Sequence, residues 1–256
     1  MTNKLRMGRR WQSAAAFALV SVAGPIATAQ QTDAPAEPPA LTRDSPFASE
    51  IYAFLVQDQV LGPQTCATLF TGSSSIRFWF TLDDDFPGHQ TLNRGFGGSE
   101  LDHVIDYFDL LATPHTPREI VLYAGENDIS YGKSPETVAA DVDRLMTRKS
   151  DALGDAPVYY ISIKPSINRA DEFDRQTAAN TLVAALAASR DDLTFVDIVD
   201  VMMADGAPKP VFISDDLHMN TDGYALWTNV LGPVLEAPDR PVASDCKEPL
   251  QPQTER

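Results

Sequence analysis

Five apolar runs alternate with segments of helical periodicity, and this alternation constrains the fold more than any other feature of the chain. Strand-like runs occupy 67–71, 90–93, 119–124, 157–164 and 193–198, while helical patterns fill 75–81, 99–111, 135–150, 169–190 and 222–235. A further helix, over 48–57, precedes the first strand. Five strand–helix units predict a parallel sheet covered on both faces: a three-layer α/β/α sandwich with a flavodoxin-like, five-stranded sheet. The runs Ile120-Val121-Leu122-Tyr123-Ala124 and Val158-Tyr159-Tyr160-Ile161-Ser162-Ile163 are nearly continuous in apolar residues, as strands buried on both faces require. Residues directly after each strand then share one rim of the sheet, where ligands bind.

The two ends of the chain read differently. Lys4, Arg6, Arg9 and Arg10 precede a short apolar stretch over 13–26 and the small-residue site Ala27-Thr28-Ala29, the pattern of a cleavable signal peptide over 1–29. The apolar stretch is too short for a comfortable membrane span, so the mature chain is expected to carry no integral membrane segment and to be periplasmic or secreted. Residues 30–46 read as a flexible lead-in, 47–236 as one domain, and 237–256 as a Pro-rich tail. The formal net charge is −16. Cleavage after Ala29 would remove four positive and no negative side chains, leaving −20, which repels nucleic acid and anionic lipid surfaces. Nucleic-acid binding is therefore set aside. Cys66 and Cys246 suit an oxidising compartment, and a bond between them would pin the tail at the end of the sheet opposite the rim; the sequence leaves their pairing open.

The rim carries the chemistry. Gly72-Ser73-Ser74-Ser75 follows the first strand, Asn93-Arg94-Gly95-Phe96-Gly97-Gly98-Ser99 the second, and Gly125-Glu126-Asn127-Asp128 the third; Asp215-Asp216-Leu217-His218 precedes the last helix. A serine after a strand–glycine turn is either a nucleophile or a helix N-cap. A serine hydroxyl needs a base to take its proton, and histidine does this best near neutral pH. Of the four histidines, His89, His103 and His115 lie in turn, surface-helix and loop contexts and read as solvated. His218 follows Asp215 by three residues, a spacing that lets the carboxylate fold back onto the imidazole and fix its tautomer. Asp216 reads as a loop residue capping the next helix.

This ordered set of four blocks resembles the SGNH (GDSL-type) hydrolase family, over residues 67–235. The resemblance implies Ser74 as nucleophile, Asp215 as orienter and His218 as base, with an oxyanion hole made by the backbone N–H groups of Ser74 and Gly98 and the side-chain amide of Asn127. It departs from the family pattern at Ser73, where an aspartate is usual, which implies altered turn hydrogen bonding. The implied activity is hydrolysis of carboxylic esters through an acyl-serine, with short-chain acyl or O-acetyl esters favoured because no long apolar lid segment is present. Small-molecule, lipid and carbohydrate esters are all candidate substrates. Lysophospholipase or thioesterase action on the same machinery, or a catalytically silent glycan-binding module, are the alternatives.

No cofactor is required for such chemistry, and no metal is expected. The run Asp83-Asp84-Asp85 lacks the oxygen spacing of a calcium loop and reads as a solvated acidic loop. The glycines at 95, 97 and 98 lack the third small residue of a dinucleotide fingerprint, since Glu100 stands there. The segment Lys164-Pro165-Ser166-Ile167-Asn168-Arg169 and Tyr131 lie near the rim and are expected to shape the acyl or alcohol site. Oligomeric state is not encoded legibly.

Overall fold

A computed structural model describes residues 41–247. The expected signal peptide, most of the lead-in and the last nine residues of the tail lie outside the described residues. The sheet comprises β1 (Thr68–Gly72), β2 (Thr91–Gly95), β3 (Glu119–Tyr123), β4 (Val158–Ile161) and β5 (Leu193–Val196), all parallel, in the order β2-β1-β3-β4-β5. This is the flavodoxin-like order, with the chain reversing its winding direction between β2 and β3. The α/β/α expectation therefore holds.

Strand periodicity divides the core in two. Leu69, Ile120, Leu122, Val158 and Tyr160 face one layer, built by α1 (Ala48–Leu61), α4 (Leu101–Asp106), α5 (Phe108–Leu111), α7 (Pro135–Leu153) and α8 (Phe173–Ala187). Phe70, Val121, Tyr123, Tyr159 and Ile161 face the other, built by α2 (Ser74–Arg77), α3 (Leu82–Asp85), α9 (Val199–Met202) and α10 (Thr221–Glu236). Successive strand side chains point to opposite faces, so continuous apolar runs are what a doubly covered sheet needs. Two more short strands, β6 (Met203–Ala204) and β7 (Ala207–Pro208), form an antiparallel ribbon that the sequence does not announce. The same holds for α6 (Glu126–Ser130).

Several local readings need correction. The helical pattern over 75–81 yields only the four residues of α2, because Phe78 leaves helical geometry; Trp79 then turns into the core while Phe80 is left exposed. The pattern over 99–111 breaks at Tyr107, whose hydroxyl donates to the Pro46 carbonyl. The acidic run is not simply solvated, since Asp83–Asp85 lie in α3 and Asp85 accepts from the Trp79 indole at 2.6 Å and the Thr81 hydroxyl at 2.7 Å. His115 is fully buried, accepting from Gln64 N–H and lying 3.3 Å from Asp58, and burial lowers its pKa despite that carboxylate. His89 is also largely covered, between Thr68 and Glu119. His103 caps its own helix, its Nδ1 accepting from Glu100 N–H.

At the amino end of the strands, Cys66 and Cys246 form a disulfide. Residues of the Pro-rich stretch pack here too: Ala243 N–H donates to the Arg118 carbonyl, Arg240 pairs with buried Glu119, and Tyr159 donates to the Pro241 carbonyl. Elsewhere, fully buried Lys149 of α7 reaches Asp192, just before β5, at 2.7 Å. Burial works against the Asp192 carboxylate, but Arg190 and Lys149 outweigh it and hold its pKa down to about 2. A depressed carboxylate contributes stability that is complete above the unfolded value of about 4 and is lost as pH falls toward the folded value. Asp192→Asn is therefore expected to lower unfolding free energy at pH 7 by about 2 kcal/mol and to flatten the loss of stability between pH 4 and 2, read by urea denaturation at each pH.

Candidate active site

The carboxyl ends of β1, β2 and β3 carry the three amino-terminal blocks to one rim. At the end of β1, Gly72 (φ 125°) lies so close to Tyr123 that an added Cβ would collide with the Tyr123 carbonyl oxygen, so only glycine permits the turn. Ser73 and Ser75 are buried beside it: Ser73 N–H donates to Tyr123 O, and the Ser75 carbonyl accepts from the Tyr224 hydroxyl. Ser74, the first residue of α2, is the partly exposed member of the three. Its hydroxyl lies 2.8 Å from His218 Nε2.

His218 comes from the far end of the domain. Asp216, in the left-handed region at φ 56°, reverses the chain so that Asp215 faces back along it. One Asp215 carboxylate oxygen accepts from the backbone N–H groups of Leu217 (3.0 Å) and His218 (2.9 Å), and the other lies 2.6 Å from His218 Nδ1. Burial opposes ionisation of this carboxyl, but those hydrogen bonds prevail and hold its pKa down to about 2. The helix-capping role read for Asp216 belongs instead to Asn220, whose side chain accepts from Gly223 N–H at the start of α10. Phe78 meets the His218 ring edge to face at 5.0 Å, and Ile213 N–H donates to the His218 carbonyl. A serine hydroxyl joined to an imidazole whose other nitrogen is held by a carboxylate is an arrangement that lets the serine surrender its proton.

The second and third blocks are bonded to each other. Gly98 has φ 76°, and an added Cβ would meet nothing within 4 Å, so its main chain is open to an approaching group. Asn127 lies in α6 and donates through Nδ2 to the Ser99 carbonyl at 2.9 Å, which ties the second and third blocks together. Buried Asp128 reinforces this tie by accepting from Leu101 N–H and from Lys133. On the β2 side, Glu50 of α1 accepts from Gly97 N–H and pairs with Arg77.

The segment after β4 bonds to the third and fourth blocks. Lys164 is fully buried and paired with Glu126, and Arg169 donates to Asn127 Oδ1 at 3.0 Å. Asn168 donates from its backbone to the Asp216 carbonyl and from its side chain to that of Asp215. The sequence signals proximity of this segment to the rim; the partners, more than thirty residues away, carry no local signature. Tyr131 is exposed, two-thirds open to solvent. A cavity of about 420 Å³, lined mainly by Phe78, Phe80, Ile213, Met219 and Tyr224, adjoins His218, and the segment after β4 does not line it. Among the described residues, no group of three or more His, Cys, Asp or Glu side chains could hold a metal ion. No helix among them is long and apolar enough to cross a membrane.

The GDSL-like lipase/acylhydrolase family matches residues 70–226, a span that contains all four blocks and both ends of the Ser74–His218–Asp215 chain. The chain belongs to this family. This GDSL-like hydrolase shares its fold with a protein from Streptococcus pneumonia, at 18% identity over 73% of this chain and 91% of that one (TM-score 0.66). A GDSL-like lipase from Bacteroides thetaiotaomicron matches at 16% identity over 73% and 97% of the two chains (TM-score 0.61). An acetylxylan esterase from Geobacillus stearothermophilus matches at 11% over 66% and 93% (TM-score 0.52). No curated protein matches the sequence.

Proposed function

We propose that this GDSL-like hydrolase is an exported serine esterase that cleaves carboxylic esters through an acyl-serine intermediate. The continuous hydrogen-bonded chain from Ser74 through His218 to Asp215 carries the reading. Ser74 Oγ attacks the ester carbonyl carbon as its proton passes to His218 Nε2, and Asp215 stabilises the imidazolium that forms. Negative charge on the former carbonyl oxygen is met by N–H groups of Ser74, Gly98 and the Asn127 amide. Ser74 heads a helix, and the first N–H groups of a helix have no intrahelical acceptor. Collapse of the tetrahedral adduct breaks the C–O bond to the alcohol, which leaves with the proton from His218. Water, with His218 again as base, then releases the carboxylic acid and restores Ser74.

Export is supported by the leader pattern over 1–29 and by the disulfide, a bond that persists in oxidising compartments. Short-chain acyl or O-acetyl esters are the favoured substrates, in keeping with the fold shared with an acetylxylan esterase. One observation favours longer acyl groups, as in a lysophospholipase or thioesterase: the apolar cavity beside His218, with Phe80 and Ile213 exposed at its edge. A fluorophosphonate probe is expected to label the protein stoichiometrically, with labelling lost in Ser74→Ala and kept in Ser73→Ala. An unlabelled native protein would instead support a silent binding module. A series of p-nitrophenyl esters, run beside acetylated sugars, separates the two substrate readings by chain-length optimum.

A further inference from the structure

We propose that Arg169 is a positioning residue that fixes the Asn127 amide as an oxyanion donor, an inference that rests on the esterase reading of this site. Asn127 has two N–H donors and one carbonyl acceptor on its side chain. Its Oδ1 accepts from Arg169 Nη2 at 3.0 Å, and one N–H goes to the Ser99 carbonyl at 2.9 Å. The second N–H has no acceptor among the described residues. Turning the amide over would set its NH2 against a guanidinium and its oxygen against a carbonyl oxygen, so the two partners permit a single orientation. Because Ser99 adjoins Gly98, the same bond holds two of the three oxyanion donors in one unit.

Behind Arg169 lies a buried carboxylate, within ion-pair distance but beyond hydrogen-bond reach. Arg169 Nη1 lies 3.8 Å from Glu126 Oε1, and Glu126 is gripped by Lys164 Nζ at 2.7 and 2.8 Å and by the Tyr123 hydroxyl at 2.7 Å. Lys164 and Tyr123 are fully buried and Glu126 nearly so. Lys164 and Arg169 thus share one carboxylate, that of the residue preceding Asn127. A guanidinium bonded to an amide oxygen also polarises the amide and makes its free N–H a stronger donor. Neighbouring Asn168 bonds to the Asp215 and Asp216 carbonyls, so this short segment links the oxyanion side of the site to the base side.

The test is a double-mutant cycle between Arg169 and Asn127, with ester hydrolysis and affinity for an aryl trifluoromethyl ketone as readouts. That ketone adds Ser74 to form a tetrahedral oxyanion. Removing one oxyanion donor costs about 10²–10³ in kcat, so Asn127→Ala should fall in that range. Arg169→Ala should lose about 10–100-fold in kcat with KM within about twofold, and ketone affinity should fall by the same factor as kcat/KM. In the Asn127→Ala background, Arg169→Ala should cost less than about threefold, because its effect acts through the absent amide. Arg169→Lys, which keeps the charge but not the planar fork, should fall between native and Ala, and it carries the test if the alanine variant does not fold. Full additivity with Asn127→Ala, a change in KM alone, or native kcat in a folded Arg169 variant would each overturn the proposal while leaving the esterase reading intact. A native protein that hydrolyses no ester and takes no probe would overturn both.

Discussion

Replacement of His218 by alanine is expected to lower kcat by about 10⁵–10⁶-fold with little change in KM, the largest single effect in this molecule. The reason is the geometry of one proton. Ser74 Oγ has its hydrogen-bond partner at His218 Nε2, 2.8 Å away, and the neighbouring serines are buried with their main chains engaged elsewhere. Ser74→Ala should cost as much, and the double variant Ser74→Ala/His218→Ala no more than either alone, since each removal disables the same unit. The His218 side chain borders a cavity and keeps 20% of its surface exposed, so its removal enlarges an existing pocket, and thermal unfolding of the variant should stay within a few degrees of the native temperature. Hydrolysis of p-nitrophenyl acetate under saturating conditions reads the effect, and a loss below about 100-fold would mean that another group takes the proton.

The second largest effect is expected at Asp215. Its carboxylate accepts three hydrogen bonds, one from the imidazole and two from backbone N–H groups. In Asp215→Asn the amide oxygen can keep the backbone pair, which turns the NH2 toward His218 Nδ1. That selects the ring tautomer with its hydrogen on Nε2, facing Ser74, where it cannot accept a proton. A loss of about 10⁴-fold in kcat follows from the wrong tautomer alone. With its pKa held down to about 2, Asp215 stays ionised throughout any ordinary assay range, so its own titration does not set the acid limb of the native activity profile. The sign for stability is that of any depressed carboxylate: its contribution is whole above about pH 4 and vanishes as pH falls through about 2.

What the sequence discloses and what it hides divide along physical lines. Strand alternation, the glycine turn after β1 and the three-residue spacing from Asp215 to His218 are short-range signals, and each places its residues where the structure has them. Topology does the rest, because parallel strands deliver the residues that follow them to one rim. Partner choice across the fold has no such signal. His115 reads as a solvated loop residue, yet Asp58 and Gln64, more than fifty positions away, enclose it. Buried Arg94 pairs with Asp58 and lies over Phe54, a destination that Asn93-Arg94-Gly95 does not reveal. The Lys164–Glu126–Arg169–Asn127 network is hidden for the same reason: two of its members sit after β3 and two after β4. Helix lengths fail where tertiary packing overrides periodicity, as at Phe78, which turns to the His218 ring while Trp79 turns inward.

The most direct measurement is rapid acid quench of the native protein turning over a slow aryl ester, followed by peptide mass mapping. A mass increase equal to the acyl group, confined to Ser74 and appearing with a burst of one equivalent of phenol, is the expected result. Steady turnover with no acylated peptide, or an acyl group resting on Ser73 or Ser75, would contradict the mechanism.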